Sequence, residues 1–155
     1  MLDSSLDSYD RRILARLAKD GRISWRDLAE EIGLTLTPTL RRVRRLEADG
    51  YIEGFEARLN EQRLVGGMSV FISISLDNQT SEKLEAFDEA IVGMPEVMEC
   101  FLMTGDADYL VRVAVRDLEH YQRIIQALTR LPGINHIKSS FAVRPVIQRR
   151  SPSVL

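Results

Sequence analysis

The chain has few of the residues on which metal, disulfide and membrane chemistry depend. Its 155 residues include one cysteine, Cys100, and two histidines. These numbers exclude an internal disulfide and almost exclude a Cys/His zinc site. No apolar run approaches the ~20 residues that span a bilayer. The charges within residues 1–20 do not fit a secretory signal. We therefore expect a cytoplasmic protein with no membrane partner and no bound metal.

Lysine is scarce as well, although basic residues are not. Of 21 basic residues, only Lys19, Lys83 and Lys138 are lysines, and the other 18 are arginines. The planar guanidinium suits forked recognition of phosphate and guanine. A net charge of −2, however, does not by itself indicate a nucleic-acid binder. Whether the chain binds nucleic acid therefore has to be judged from how its charges are distributed along the sequence.

Three short helices are predicted in residues 1–50. Apolar residues at helical spacing predict a first helix over residues 7–19, capped by Asp7. A second helix opens at Ser24 and ends at Gly33. A third begins with Thr35 as its cap, and its apolar stripe is Leu36, Leu40, Val43 and Leu46. A short helix, a glycine corner and a basic helix make the helix-turn-helix pattern.

The basic charge is concentrated on one face of this third helix. Residues 1–63 contain 12 basic and 12 acidic residues, so the region is neutral while the helix face is strongly positive. DNA binding needs such a local patch rather than a basic protein. A merely solvated charged face is the alternative, but the caps and apolar stripes agree with one helical unit. The candidate DNA-binding residues are Ser24, Trp25, Thr35, Thr37, Pro38, Arg41, Arg42, Arg44 and Arg45.

The order along the helix predicts the roles of these residues. The start of a recognition helix meets the base edges, which assigns base reading to Thr37, Pro38 and Arg41. Arg44 and Arg45 lie further along and are expected to meet phosphates. Arg42 either contacts DNA or braces the domain. The second helix starts at Ser24 and Trp25, where a phosphate can bind, although surface packing explains Trp25 equally well.

The second half of the chain predicts a βαββαβ order. Strict alternation predicts a strand over residues 68–76, and further strands are expected at 97–104, 109–115 and 134–143. Helices lie between the first and second strands and between the third and fourth, which is the ferredoxin-like arrangement. Two helices cover one sheet face only, and the other carries Phe71, Phe101, Met103, Leu110 and Ala114. Such an apolar face predicts a partner, most simply a second copy of the chain.

These elements predict an α+β protein in three parts. Residues 1–50 form a helix-turn-helix (winged-helix-like) DNA-binding domain, and residues 51–66 form an extended linker. Residues 67–155 form a ferredoxin-like domain for effector binding and oligomerisation.

Several motifs together carry a family resemblance over nearly the whole length. They are Leu6-Asp7-x-x-Asp10-Arg11-x-Ile13-Leu14, Asp20-Gly21-Arg22-Ile23-Ser24, Gly33-Leu34-Thr35-x-Thr37-Pro38, Arg42-Val43-x-Arg45-Leu46-Glu47-x-x-Gly50-x-Ile52, Pro95-Glu96-Val97 and Thr104-Gly105-Asp106-x-Asp108-Tyr109-Leu110. With them the chain resembles the Lrp/AsnC family of leucine-responsive and asparagine-type transcriptional regulators. The resemblance implies an N-terminal DNA-binding domain, a C-terminal effector domain, and homodimers that assemble into tetramers or octamers. It also implies control by an amino acid and a place on the bacterial or archaeal nucleoid.

The effector site is predicted at the turn between the second and third strands. Backbone amides there can take a carboxylate, and acidic side chains can take an ammonium group. The resemblance adds the last strand, so the candidate effector-binding residues are Met103, Thr104, Gly105, Asp106, Asp108, Ser139 and Ser140. The alternative is that Gly105 and its acidic neighbours only make a hairpin turn. Ala107 stands where the family has a bulkier residue, so leucine is not carried over as the effector.

The sequence leaves three alternative functions to be distinguished. The first is a ligand-responsive transcription regulator, and the second is a DNA-wrapping architectural protein that needs no ligand. The third is a small enzyme using the turn with Asp106 and Asp108. The enzyme is the least favoured, because the sequence offers no nucleophile–base pair and no metal cluster. No catalytic residue and no cofactor are therefore predicted.

Overall fold

The computed structural model describes residues 6–149 and 151–153, and the chain divides into two compact units. Residues 6–58 form the first, together with the described residues after position 146, and Leu59–Val146 form the second. The boundary falls inside the predicted linker. Linker residues up to Arg58 belong to the first unit, and those from Leu59 onward belong to the second. The predicted second domain also ran to residue 155, whereas the second unit ends at Val146.

Three helices make up the first unit, as predicted. They are α1 (Ser8–Lys19), α2 (Trp25–Ile32) and α3 (Leu36–Ala48). Asp7 caps α1 in a reciprocal capping box with Asp10, and Gly33 ends α2 in the left-handed conformation at φ 77°. The helices bury one apolar cluster, formed by Ile13, Leu17, Leu28, Ile32, Val43 and Leu46.

The start of α3 differs from the prediction. Thr35 occupies the N-cap position, but its side chain makes no capping hydrogen bond. The fully buried Thr39 instead donates its hydroxyl to the Thr35 carbonyl at 2.9 Å. Thr39 shares the inward face of the helix with Val43 and Leu46, and Leu36, at the first position of α3, stays 41% exposed. The buried stripe of α3 therefore begins one turn later than expected.

The second unit has the predicted ferredoxin-like order, preceded by one extra helix. Its elements are α4 (Glu61–Val65), β1 (Met68–Leu76), α5 (Ser81–Val92), β2 (Val97–Leu102), β3 (Tyr109–Val115), α6 (Leu118–Thr129) and β4 (Ile134–Phe141). The strands form one antiparallel sheet in the order β2-β3-β1-β4. Strands β2 and β4 each end two residues earlier than predicted.

One face of this sheet is the core of the second unit. Val70, Ile72 and Ile74 of β1 are fully buried there, as their alternation predicted. Tyr109 of β3 packs on Phe87 of α5 with ring centroids 4.2 Å apart. Its hydroxyl donates to Asp88 at 2.8 Å, and burial raises the pKa of Tyr109.

Helix α4 covers part of the opposite face, which corrects two predictions. The extended linker was expected to include residues 61–65, but these are helical, with Asn60 as the N-cap. Arg112 of β3 donates to both carboxylate oxygens of Glu61 at 3.1 Å and to Ser69 Oγ at 3.0 Å. Since α4 packs against β3, the face that holds Arg112 is partly covered, and Ala114 is buried rather than exposed.

The rest of that face is open. Phe71 and Phe101 are 37% and 53% exposed, and Phe101 lies opposite Leu110 in the sheet register. We call Phe71, Phe101 and Leu110 the open sheet face. Among the described residues, no helix is both long and apolar enough to cross a membrane.

Candidate DNA interface and effector site

The exposed side of α3 presents two arginines that no other described side chain binds. Arg41 and Arg44 are exposed, and within the described residues neither guanidinium forms an ion pair or a hydrogen bond. Thr37 is exposed and Pro38 is half-buried, one turn before Arg41. The exposed side of the helix thus offers the donors of Arg41 and Arg44, which no carboxylate in the described part of the chain binds.

The other two arginines of α3 bind a buried carboxylate of α1. Arg42 Nη1 donates to Asp10 Oδ1 at 2.8 Å, and Arg45 Nη2 donates to Asp10 Oδ2 at 2.5 Å. The Asp10 side chain is fully buried, whereas those of Arg42 and Arg45 are 23% and 46% exposed. The four arginines that look alike in the sequence therefore fall into two pairs.

Arg42 is the more firmly held of the two. It also donates to Asp7 at 2.6 Å, and its guanidinium carbon lies 5.4 Å from the centre of the Tyr9 ring. The hydrogen bond to Asp7, followed by that to Asp10, raises the pKa of Arg42. These contacts are those of a residue that braces α3 against α1, which was one of the two roles considered for Arg42.

The start of α2 shows capping and packing contacts. Ser24 Oγ accepts a hydrogen bond from the backbone N–H of Asp27 at 3.1 Å and so caps the N-terminus of α2. Trp25 is 38% exposed and meets Phe55 edge to face, with ring centroids 6.2 Å apart. Trp25 therefore packs within the first unit while keeping part of its ring accessible.

The predicted effector turn divides into an exposed part and a structural part. Met103, Thr104, Gly105 and Asp106 are exposed, and Gly105 has a φ of 125°. Asp108 is only 7% exposed, and its two oxygens accept the Leu76 backbone N–H at 2.6 Å and the Gln79 side-chain amide at 2.5 Å. With both oxygens engaged inside the fold, Asp108 is not available for an ammonium group in the way that Asp106 is.

The two serines predicted for this site lie on opposite faces of the sheet. Ser139 pairs in register with Ile72, which faces the helices, and Ser140 pairs with Phe71, which belongs to the open sheet face. Successive side chains of a strand point to opposite sides. The structure therefore does not bring Ser139 and Ser140 together on one surface.

A cleft on α6 was not predicted from the sequence. It has a volume of about 340 Å³ and is lined by Met94, Glu96, Arg116, His120, Arg123, Ile124 and Ala127. His120 is 8% exposed, accepts the Arg116 backbone N–H at Nδ1 at 3.3 Å, and has Nε2 3.4 Å from Glu96. The only signal in the sequence is the helical spacing of 120, 123, 124 and 127, which also describes an ordinary amphipathic helix.

Groups that suggest other chemistry are inert or missing in the described part of the chain. Cys100 is half-buried, and burial raises the pKa of its thiol, so the reactive thiolate is disfavoured. Within the described ranges no three His, Cys, Asp or Glu side chains cluster in a way that could hold a metal ion.

Comparison with family models matches both units. Residues 6–53 match a winged helix-turn-helix DNA-binding model, and residues 69–152 match the Lrp/AsnC ligand binding domain. The chain is 57% identical to the Bkd operon transcriptional regulator of Pseudomonas aeruginosa, over 96% of this chain and 98% of that protein. It is 41% identical to the leucine-responsive regulatory protein of Escherichia coli, over 92% and 88% of the two chains.

Solved structures resemble this chain over nearly its whole length. An AsnC family transcriptional regulator from Agrobacterium tumefaciens has a TM-score of 0.90 at 33% identity, covering 95% of this chain and 96% of its own. A transcriptional regulator from Neisseria meningitidis, solved as a complex with L-Met, has a TM-score of 0.89 at 29% identity with the same coverage. The relatives are transcriptional regulators, a class of proteins that act by binding DNA rather than by catalysis.

Proposed function

The chain belongs to the Lrp/AsnC family of DNA-binding transcriptional regulators, and from that premise we propose a sequence-specific regulator whose assembly and DNA affinity respond to an amino acid. The observation that carries the DNA-binding part is the exposed side of α3, where Arg41 and Arg44 have no carboxylate partner among the described residues. Because a transcriptional regulator acts on DNA, we place the protein in the bacterial cytoplasm, bound to the nucleoid.

We propose that α3 enters the major groove with its first turn at the base edges. Thr37 and Arg41 then face bases, with Pro38 beside them, and Arg41 can pair with guanine through two hydrogen bonds. Arg44 and Arg45 contact the DNA phosphates. The start of α2, at Ser24 and Trp25, lies beside the DNA backbone. Thr35 belongs to this interface through its position at the start of α3 rather than through a side-chain cap.

A duplex enriched from a random pool by the wild-type chain tests this. Arg41→Ala is expected to weaken binding to the enriched duplex about tenfold, while binding to a scrambled duplex changes less, because a base contact carries discrimination. Arg58→Ala, which removes an exposed arginine outside α3, is the control. Failure of the wild-type chain to enrich any duplex would overturn the DNA-binding function.

We propose further that the open sheet face joins two copies of the chain, and that dimers assemble into tetramers or octamers. The support is that Phe71, Phe101 and Leu110 form an apolar surface on a sheet whose other face is already packed. Phe101→Glu is expected to lower the mass seen by sedimentation. Val92→Glu changes a residue of α5 that is 85% exposed, and the assembly should tolerate it. An assembly unaffected by Phe101→Glu would exclude this interface.

For the effector, we propose an amino acid held at the turn of residues 103–106. Asp106 is exposed and can take the ammonium group, while backbone amides beside Gly105 can take the carboxylate. Asp108 then holds the shape of the turn through its hydrogen bonds. Ser139 and Ser140 lie on opposite faces of the sheet, so only one of them can contact a ligand on a given face.

Calorimetry with the common amino acids tests the effector proposal. Asp106→Asn is expected to abolish the heat of binding, whereas Glu85→Gln, a neutralised exposed residue of α5, should leave it unchanged. Loss of the heat in Glu96→Gln instead would place the effector in the α6 cleft. No heat with any amino acid, together with intact DNA binding, would favour the alternative of a ligand-independent DNA-wrapping protein.

A further inference from the structure

One buried carboxylate controls half of the arginines on α3. Asp10 is fully buried, and its oxygens accept Arg42 Nη1, Arg45 Nη2 and the backbone N–H of Asp7 at 3.1 Å. We propose that Asp10 is a positioning residue, which fixes the direction in which Arg45 meets DNA and withholds Arg42 from it. This inference rests on the DNA-binding function proposed above.

The contacts of Arg45 leave part of its guanidinium for DNA. Arg45 Nη2 is held by Asp10, and Arg45 Nε lies 3.9 Å from an exposed Asp49 oxygen. Within the described residues, Nη1 has no partner, and the side chain is 46% exposed. A guanidinium has enough donors to bind a carboxylate on one side and a phosphate on the other. Because Asp10 already restricts its rotamers, Arg45 loses less conformational entropy when DNA binds.

The contacts of Arg42 leave much less of its guanidinium available for DNA. Its Nη1 donates to both Asp7 and Asp10, and its side chain is 23% exposed. Moving Arg42 to a phosphate would leave the buried Asp10 charge with one guanidinium fewer, and an undercompensated buried charge is costly. The electrostatic contribution of α3 to DNA binding therefore comes from Arg41, Arg44 and Arg45.

Phosphate contacts fix the register of a protein on the duplex. A guanidinium held in one direction can meet a phosphate only when α3 sits in the correct register, which a matching sequence allows. A mobile cation at the same place adapts to any register. Fixing Arg45 should therefore raise the ratio of specific to non-specific affinity more than it raises affinity itself.

The test compares binding of Asp10→Asn, Arg45→Lys and Asp49→Asn to two probes over a salt series. The probes are a duplex enriched from a random pool by the wild-type chain and a scrambled duplex of equal composition. Arg45→Lys keeps the charge but replaces the fork with a point charge on a flexible stem. It should keep the salt slope and lower the specific-to-scrambled affinity ratio about tenfold, the scale of one mismatched base pair.

Asp10→Asn should lower the same ratio while leaving or raising affinity for the scrambled duplex, because it removes a negative charge from beside the patch. Asp49→Asn should keep the wild-type ratio. An unchanged ratio in Arg45→Lys would overturn the inference even if Asp10→Asn fails to fold. Equal weakening of both probes by folded Asp10→Asn would reduce Asp10 to a structural role and also overturn it. No enriched duplex for the wild-type chain would instead overturn the DNA-binding function itself, and this inference with it.

Discussion

Asp108 accepts a hydrogen bond from the backbone N–H of Leu76 at 2.6 Å, across 32 positions of the chain. Its other oxygen accepts the Gln79 side-chain amide at 2.5 Å. The buried carboxylate thus joins the turn between β2 and β3 to the end of β1 and the residues that follow. A residue that looks in the sequence like a ligand for an ammonium group serves the fold of the second unit.

This relationship predicts opposite outcomes for the two acidic residues of the turn. Asp108→Asn puts an amide beside two N–H donors and should lower the free energy of unfolding of the second unit by about 1–3 kcal/mol. Asp106→Asn changes an exposed residue and should stay within about 0.5 kcal/mol of wild type. Hydrogen exchange of amides in β1 measures both. Equal protection in the two variants would contradict the structural role of Asp108.

The division of the arginines on α3 predicts different salt dependences. Arg44→Ala removes a free cation, so the slope of log affinity against log salt should flatten by about 0.9. Arg42→Ala removes a brace instead. It should leave the slope nearly unchanged and lower the stability of the first unit, because the buried Asp10 loses a partner. A slope that flattens equally in both variants would show that Arg42 also reaches phosphate.

The α1 cap predicts a pH dependence of stability. The pKa of Asp7 is lowered, first by the backbone N–H of Asp10 and also by Arg42. A lowered pKa in the folded state means that the unfolded chain binds more protons in this range. The stabilisation is therefore complete above the ordinary pKa of 3.8 and is lost as the pH falls through the lower folded value.

Asp7→Ala should accordingly be less stable than wild type by about 1 kcal/mol near pH 7, the usual value of an N-cap. The difference should shrink below about pH 4. Urea titrations followed by the fluorescence of Trp25, the single tryptophan of the chain, report on the first unit. Asp7→Asn keeps a capping oxygen and is the matched control. A difference that does not change down to about pH 2 would show that the carboxylate charge plays no part.

The corner between α2 and α3 predicts a purely conformational effect. Gly33 has a φ of 77°, and a Cβ there would meet no atom within 4 Å. Gly33→Ala should therefore cost about 1–2 kcal/mol through the left-handed backbone alone. Gly54 is equally open and has no positive φ, so Gly54→Ala should be neutral or slightly stabilising. Similar unfolding curves for the two variants would contradict this explanation.

Local patterns predicted most of the secondary structure, because each signal lies within one or two turns of its element. The alternation over residues 68–76 predicted β1 to the residue. The cap at Ser24 predicted the start of α2 in the same way. By contrast, α4 was missed, since a five-residue helix buries no residue and so leaves no apolar period to read.

The candidate sites were predicted less completely. The sequence placed Arg41, Arg42, Arg44 and Arg45 on one basic helix and left two roles open for Arg42, but it could not show that Arg42 and Arg45 share one buried carboxylate. That carboxylate belongs to Asp10, which lies 35 positions before Arg45. Likewise, the family resemblance indicated Ser139 and Ser140 together, while strand pairing puts them on opposite faces.

The sequence by itself indicated the family, through the resemblance of its motifs. It also predicted the two kinds of domain, the basic helix and the order of the elements apart from α4, because these depend on patterns within short stretches of the chain. Only the tertiary structure decided which charges are free to act. Asp10 holds two arginines and Asp108 holds the turn of a proposed effector site. Whether a charge is available depends on burial and on partners distant in the chain, and these are fixed only when the helices and strands pack.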